Sequence, residues 1–411
     1  MTFIQDVHIK LKSNSKLYWF IREQYVVFLC ILNRLNDKPT ASRKKRILFY
    51  GINSLSHGGT EKMIQILARH TNKDLYDVYF LYPDTLHENP GQQLRYKYVQ
   101  SGGATLIPFT YNKMSVAPPH FVSGMNPDIK NFIQGLQIDT LIVAGPGCAD
   151  YPFSIIKDTP IILLNIFGQA NMQKNISYHL CLSKEIANKI TPIVPTHKID
   201  FLPVPSEGPT NSSPAKGVEL RKKYNIPDTE IVFGRIGRAV DNIHDPIGIE
   251  AFKIALKTRT DIHFLIMSPP PKLVRQVEEE NIPNVYFVEP SSDEEDIWAF
   301  HAAIDTLAHF RLDGESFGLN IAESMLSGNP IISHKSHIWN AQLEYLDASF
   351  SRIAEKDDSN AYAAHMLEFT ELHNRGALNA FGENAKLKGE ALFHIKNNIA
   401  RFEKYVKQSI K

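Results

Sequence analysis

The sequence predicts an α/β fold of two doubly wound, Rossmann-like parallel-sheet domains in tandem, facing a central cleft. Three observations predict it. Short, continuously apolar runs alternate with helix-compatible stretches from about residue 46 onward, as in parallel sheets covered on both faces. The alternation is interrupted once, by the Pro-, Ser- and Gly-rich stretch PVPSEGPTNSSPAKG at 203–217, and then restarts. The chain has 411 residues, 43% hydrophobic and 22% charged, enough apolar material for two cores.

In the first half, strands are expected at 47–51, 77–81, 104–107, 138–143, 160–164 and 178–182, with helices at 60–70, 91–100, 127–136 and 184–191. In the second half, strands are expected at 231–236, 262–267, 285–288, 304–309 and 330–333. Helices are expected there at 246–257, 272–280, 293–302, 317–327 and 359–373, with a last helical stretch over 383–409. The domain plan is an N-terminal extension (1–45), a first domain (46–203), a linker (204–217), a second domain (218–382) and a C-terminal helix (383–411) that crosses back to the first domain. Ligands of such sheets bind outside the carboxyl ends of the strands.

Charge is uneven. Residues 1–46 hold ten Lys/Arg and three acidic residues, whereas the remainder holds 35 bases and 41 acids. The body therefore lacks the basic face of a nucleic-acid binder. Residues 17–32 (LYWFIREQYVVFLCIL) are apolar at thirteen of sixteen positions, but Arg22 and Glu23 interrupt them and the clean run is only eight residues long. That is short of the roughly 20 residues a membrane span needs. Two readings stay open for residues 17–46: a helix packed on the body, or a helix lying on an anionic membrane with help from Arg43, Lys44, Lys45 and Arg46. The expected location is cytoplasmic, with peripheral membrane contact under the second reading. Three isolated cysteines (Cys30, Cys148, Cys181), without Cys-x-x-Cys or a Cys/His cluster, point away from a disulfide framework and a zinc site.

Three stretches carry chemistry. The first is IDTLAHFRLDGESFGLNIAESMLSGNPIIS at 304–333, a strand, a polar loop and a helix. Glu315 falls on the loop and Glu323 two turns into the helix. Between them, Ser316, Phe317, Gly318 and Leu319 lead into the helix start, whose unpaired N–H groups suit a phosphate. Carboxylates suit vicinal hydroxyls. The second is IVFGRIGRAVDNIHDPIGIEAF at 231–252, where Gly237 and Arg238 close a strand ahead of a helix. The third is ILFYGINSLSHGGTEKMIQILA at 47–68, where Gly58 and Gly59 open an amphipathic helix. It is neither a dinucleotide fingerprint nor a P-loop.

The first stretch resembles the E-x7-E signature of family-four retaining glycosyltransferases, which have the GT-B fold. The resemblance spans roughly residues 46–400 and is specific only in the second half. It implies a metal-independent enzyme without a cofactor, which transfers a sugar from a nucleotide-diphosphate sugar to a glycan or lipid-linked acceptor. It assigns Glu315 to the donor sugar, Glu323 to the nucleotide ribose, Arg238 and the backbone at 317–319 to the departing diphosphate, and Gly58–Gly59 to the ligand across the cleft. The sequence departs from the family pattern at two places. Where a diphosphate-binding Lys is expected, Ile243 stands, leaving Arg235 or His244 as replacements. Where a His is expected after strand 160–164, the chain has Asn165, a candidate donor contact. The implied pathway is cell-surface polysaccharide or lipopolysaccharide assembly. A non-catalytic nucleotide-sugar-binding or partner subunit, and a nucleotide-sugar epimerase of the same fold, are the alternatives.

Overall fold

A computed structural model describes residues 43–51, 54–83, 90–109, 133–147 and 156–410. The proposed membrane-contacting segment up to residue 42 and most of the helix expected at 127–136 lie outside the described residues. The described chain forms two compact units.

The first unit takes the described residues up to Cys181, Ile186–Phe201 and the described residues from Ile399 on. Its sheet has seven parallel strands: β1 (Lys45–Gly51), β2 (Tyr76–Pro83), β3 (Thr105–Phe109), β4 (Thr140–Gly145), β5 (Ile161–Asn165), β6 (Ile176–Cys181) and β7 (Ile199–Phe201). They run in the order β3-β2-β1-β4-β5-β6-β7, with Leu48 in register with Tyr79 and Leu141. The order reverses direction between β1 and β4, the crossover of a doubly wound sheet. Helices α1 (Gly59–His70), α2 (Pro90–Ser101) and α3 (Lys184–Ile190) connect them. Alternation along the strands splits the core in two. Leu48, Leu141, Val143, Ile161 and Leu163 share one cluster. On the opposite face of β1, Phe49 meets Phe402 with ring centroids 5.8 Å apart.

The second unit takes Leu182–Glu185 and Leu202–Asn398. Its main sheet has six parallel strands, β8 (Ile231–Ile236), β9 (Ile262–Met267), β10 (Val285–Val288), β11 (Thr306–Ala308), β13 (Ile331–His334) and β15 (Ser351–Ala354), in the order β10-β9-β8-β11-β13-β15. Helices α4 (Ser213–Lys223), α5 (Ile247–Leu256), α6 (Pro271–Glu279), α7 (Glu294–Ala303), α8 (Leu319–Leu326), α9 (Ser359–Asn374) and α10 (Leu378–Phe393) cover it. Phe233, Phe252, Phe264, Phe310, Ile332 and Tyr362 form the centre of one core layer. Arg221 on α4 ties the sheet to α7: its Nε donates to the Ala303 carbonyl at 2.7 Å and its Nη2 pairs with Asp305 at 2.6 Å. The last helix, α11 (Ile395–Ser409), begins in this unit and continues in the first, where Arg401 pairs with Asp200 at 2.6 Å.

Four strands escape the sequence pattern. β7 and β15 are short and only partly apolar, and β12 (Gly314–Glu315) and β14 (Trp339–Asn340) hold two residues each, too few for any periodicity. The linker expected over 204–217 holds the start of α4 from Ser213, since Pro214 is tolerated in a first turn. The single helical stretch expected over 383–409 is two helices: the first starts at Leu378 and the chain breaks at His394, whose backbone is extended (φ −59°, ψ 134°). The four bases at 43–46 are not a free basic patch. Arg43 forms a forked pair with Asp139 at 2.7 and 3.0 Å, Arg46 is buried, and Lys44 donates to the Lys73 carbonyl at 2.7 Å.

Candidate nucleotide-sugar site

Within the second unit, the carboxyl ends of β8 and β11 open into a recess. Arg235, Gly237 and Arg238 line it from β8 and its loop, His309 and Arg311 from the end of β11, Glu315 from β12 and Asn320 from α8. Ile243, at the position where the resemblance expects a Lys, also stands in its wall.

Loop and helix are fixed by backbone geometry. Gly314 has φ +72°, and a Cβ there would sit 1.8 Å from the Trp339 carbonyl oxygen with which β12 pairs. Gly318 is the N-cap of α8 with φ +89°. The helix therefore starts at Leu319, two residues later than expected, and its first-turn donors are those of Leu319 and Asn320 rather than Phe317. Phe317 turns inward, 4% exposed, against Tyr345 and Phe393, and its carbonyl accepts from the Tyr345 hydroxyl. Asn320 Nδ2 donates to the Ile236 carbonyl at 2.9 Å, holding the helix start against the end of β8.

The electrostatics favour an anion. Arg235 is 3% exposed, and its Nε and Nη1 have no hydrogen-bond partner among the described residues. Its guanidinium lies over the Phe310 ring, 5.2 Å from the centroid. Burial, with a smaller push from Arg311, brings its pKa down to about 10, so it stays cationic at neutral pH. His244 differs: burial and the charge of Arg235 push it down to about 4, leaving a neutral ring. Of the two candidates for the charge missing at Ile243, only Arg235 carries one at neutral pH and lines the recess. Arg238 is exposed at the rim.

Glu315 is held on several sides. Its Oε1 accepts from His309 Nε2 at 3.2 Å and lies 3.8 Å from Arg311 Nη1, while Arg311 makes a forked pair with Asp313 at 2.6 and 3.0 Å. His309 and Asn320 were not anticipated from sequence. The available signal was their position at the end of a parallel strand and at a helix start, where doubly wound sheets bind ligands.

Other expected residues of the second unit do not line this recess. Glu323 is 4% exposed on the inner side of α8, its Oε2 3.8 Å from His301 Nε2, and does not line the recess. Ser316, Phe317, Gly318 and Leu319 shape the loop without forming the wall. In the first unit, Gly58 is the N-cap of α1 and Gly59 its first residue; Gln65 Nε2 ties the preceding loop to α1 through the Ser54 and Ser56 carbonyls at 2.8 and 3.0 Å. Asn165 is fully buried. Its Oδ1 accepts from Gly168 N–H at 2.8 Å and its Nδ2 donates to the Gln169 carbonyl at 3.0 Å and faces His179 Nδ1 at 3.4 Å. These contacts brace the loop that follows β5.

A search of curated proteins gives no match to the chain. Solved structures do resemble it. Anabaena Alr3699/HepE in complex with UDP and glucose superposes with a TM-score of 0.68 at 15% identity, over 89% of this chain and 100% of that one. A glycosyltransferase from Rickettsia africae gives 0.67 at 13%, over 90% and 99%. A mutant of S. aureus TarM, in complex with Fondaparinux, alpha-GlcNAc-glycerol and UDP, gives 0.63 at 11%, over 88% and 99%. At these identities the likeness concerns the fold. Residues 218–388 match the family model described as Glycosyl transferases group 1. The chain accordingly has the two-domain GT-B fold, and its second unit carries a glycosyltransferase group 1 domain.

Proposed function

We propose that this protein is a retaining, metal-independent glycosyltransferase that binds a nucleotide-diphosphate sugar at the β8–β11 recess. The observation that carries the reading is the buried, cationic Arg235, which lines a recess that also holds Glu315 and has two nitrogens without a hydrogen-bond partner among the described residues. An unpaired buried charge is costly, and a bound diphosphate supplies the missing partner. Arg235 takes the place of the absent Lys at Ile243, and Arg238 and the α8 start add further positive potential. Stabilising the departing diphosphate in this way lowers the barrier to breaking the glycosidic bond. Glu315 accepts hydrogen bonds from the sugar hydroxyls. The acceptor hydroxyl then attacks from the face the diphosphate leaves, which retains configuration without a covalent intermediate.

Glu323 is assigned to the nucleotide ribose by the resemblance alone; its inward carboxylate must change rotamer to reach a ligand. Complexes of the structural neighbours with UDP and with UDP-glucose support a uridine diphosphate sugar as the first donor to test. A glycan or lipid-linked acceptor, in cell-surface polysaccharide or lipopolysaccharide assembly, completes the proposal.

Isothermal titration with UDP and UDP-glucose, paired with an assay for UDP release, tests it. Arg235→Ala is expected to weaken UDP by about 10- to 100-fold, the loss of one or two charge-assisted hydrogen bonds. Glu315→Gln is expected to leave UDP affinity nearly intact while lowering turnover. If both variants bind and turn over donor like the parent, the assignment of the recess fails.

A further inference from the structure

A chain of buried polar groups runs behind Glu315. His309 is 3% exposed; its Nε2 meets Glu315 Oε1 at 3.2 Å and its Nδ1 meets Ser333 Oγ at 3.1 Å. Ser333 is fully buried on β13, the strand next to β11. An ionised carboxylate can only accept, so Nε2 must carry a hydrogen. In the neutral ring Nδ1 is then the acceptor, filled by the Ser333 hydroxyl. The backbone of this chain is held as well: the buried Tyr362 hydroxyl lies 3.1 Å from both the His309 and Ile332 carbonyls, one on each strand.

Positive charge also attracts Glu315 from the other side. Arg311 Nη1 lies 3.8 Å from the same Oε1, and Arg235 shares the recess. Loss of His309 would free the carboxylate to swing onto these guanidinium groups, where it would cancel the charge that a diphosphate needs. We propose that Ser333 and His309 form a hydrogen-bonded relay that holds the Glu315 carboxylate in place, making His309 a positioning residue. The proposal rests on the reading of Glu315 as the sugar-contacting residue, and adds the device that sets its orientation.

The side-chain geometry supplies a discriminating pair of substitutions. A glutamine amide nitrogen can occupy the place of Nε2 and still donate to Glu315. An asparagine reaches only the place of Nδ1. With UDP-glucose as probe, His309→Asn is expected to lower kcat for UDP release by about 10- to 100-fold, the scale of a misplaced reacting group, while the Kd for UDP moves less than about threefold. His309→Gln is expected to recover most of that loss. In a Glu315→Gln background, His309→Asn should add little, because the group it positions is already neutral. Nitrogen-15 NMR of the histidines in the full parental chain should show His309 protonated at Nε2, with Ser333→Ala shifting the Nδ1 resonance. Equal rates for His309→Asn and the parent, additive losses in the double variant, or a ring bare at Nε2 would each overturn the relay. If Glu315→Gln itself releases UDP at the parental rate, the sugar-contact reading fails instead, and the relay loses its role with it.

Discussion

Arg235 and Arg221 are both buried arginines of one domain, and they do opposite things. Arg221 is paired with Asp305 and the Ala303 carbonyl. Arg235 has two nitrogens without a hydrogen-bond partner among the described residues. The first is a strut and the second a socket, and only side-chain surroundings separate them. In sequence Arg235 was one of two candidates, and nothing in residue order distinguishes it from His244. Burial decides, because it drives the imidazole neutral while the guanidinium, with its far higher pKa, stays charged. His244 therefore contributes no charge to diphosphate binding at neutral pH. His244→Gln should leave UDP affinity, measured by titration calorimetry at pH 7.5, within about threefold, against the 10- to 100-fold loss expected of Arg235→Ala.

At the scale of elements, the recess is made by a two-residue strand pair and a delayed helix start. β12 and β14 pair Gly314 with Trp339 and Glu315 with Asn340, which fixes the height of Glu315 above the sheet. Gly314→Ala would place a methyl group inside the Trp339 carbonyl at a backbone angle that L-residues avoid. It should cost roughly 2–4 kcal/mol by thermal or denaturant unfolding and reduce donor turnover together with stability. The long periodic elements were legible because their signal sums over many residues: β9 is buried at all six positions, and α1 presents Met63, Ile64, Ile66 and Leu67 inward. The pieces that build the site were not. Two-residue strands carry no period, and the outward or inward aim of Glu315 and Glu323 depends on Gly318 delaying the helix by two residues. Asn165 illustrates the same limit, since a polar residue at a strand end reads identically whether it binds a ligand or, as here, braces its own loop.

For the whole molecule, the plan of two doubly wound sheets followed from alternation and restart, while its GT-B character was implied by the motifs of the second unit. The C-terminal helix seals the first unit: Phe402 is fully buried against Phe49, and Tyr405 packs on Tyr178 at 4.9 Å. Phe402→Ala should destabilise that unit by about 3–5 kcal/mol, read from hydrogen exchange in β1 and β6. Several buried or half-buried histidines contribute to the pH response. His179, His244 and His334 all have pKa values lowered by burial, so the folded chain binds fewer protons than the unfolded chain below about pH 6.5. Their contribution to stability is complete above that pH and is lost as pH falls toward the lowered values. The thermal midpoint should therefore drop between pH 7 and pH 5, and replacing His179 with Gln should flatten part of that drop.

The most direct test of the account is calorimetric titration of UDP, GDP and ADP into the parental chain and into Arg235→Ala. The account predicts saturable binding of one of these nucleotides to the parent, weakened at least tenfold in the variant. Binding of equal strength to both proteins, or to neither, would contradict a diphosphate site at the β8–β11 recess.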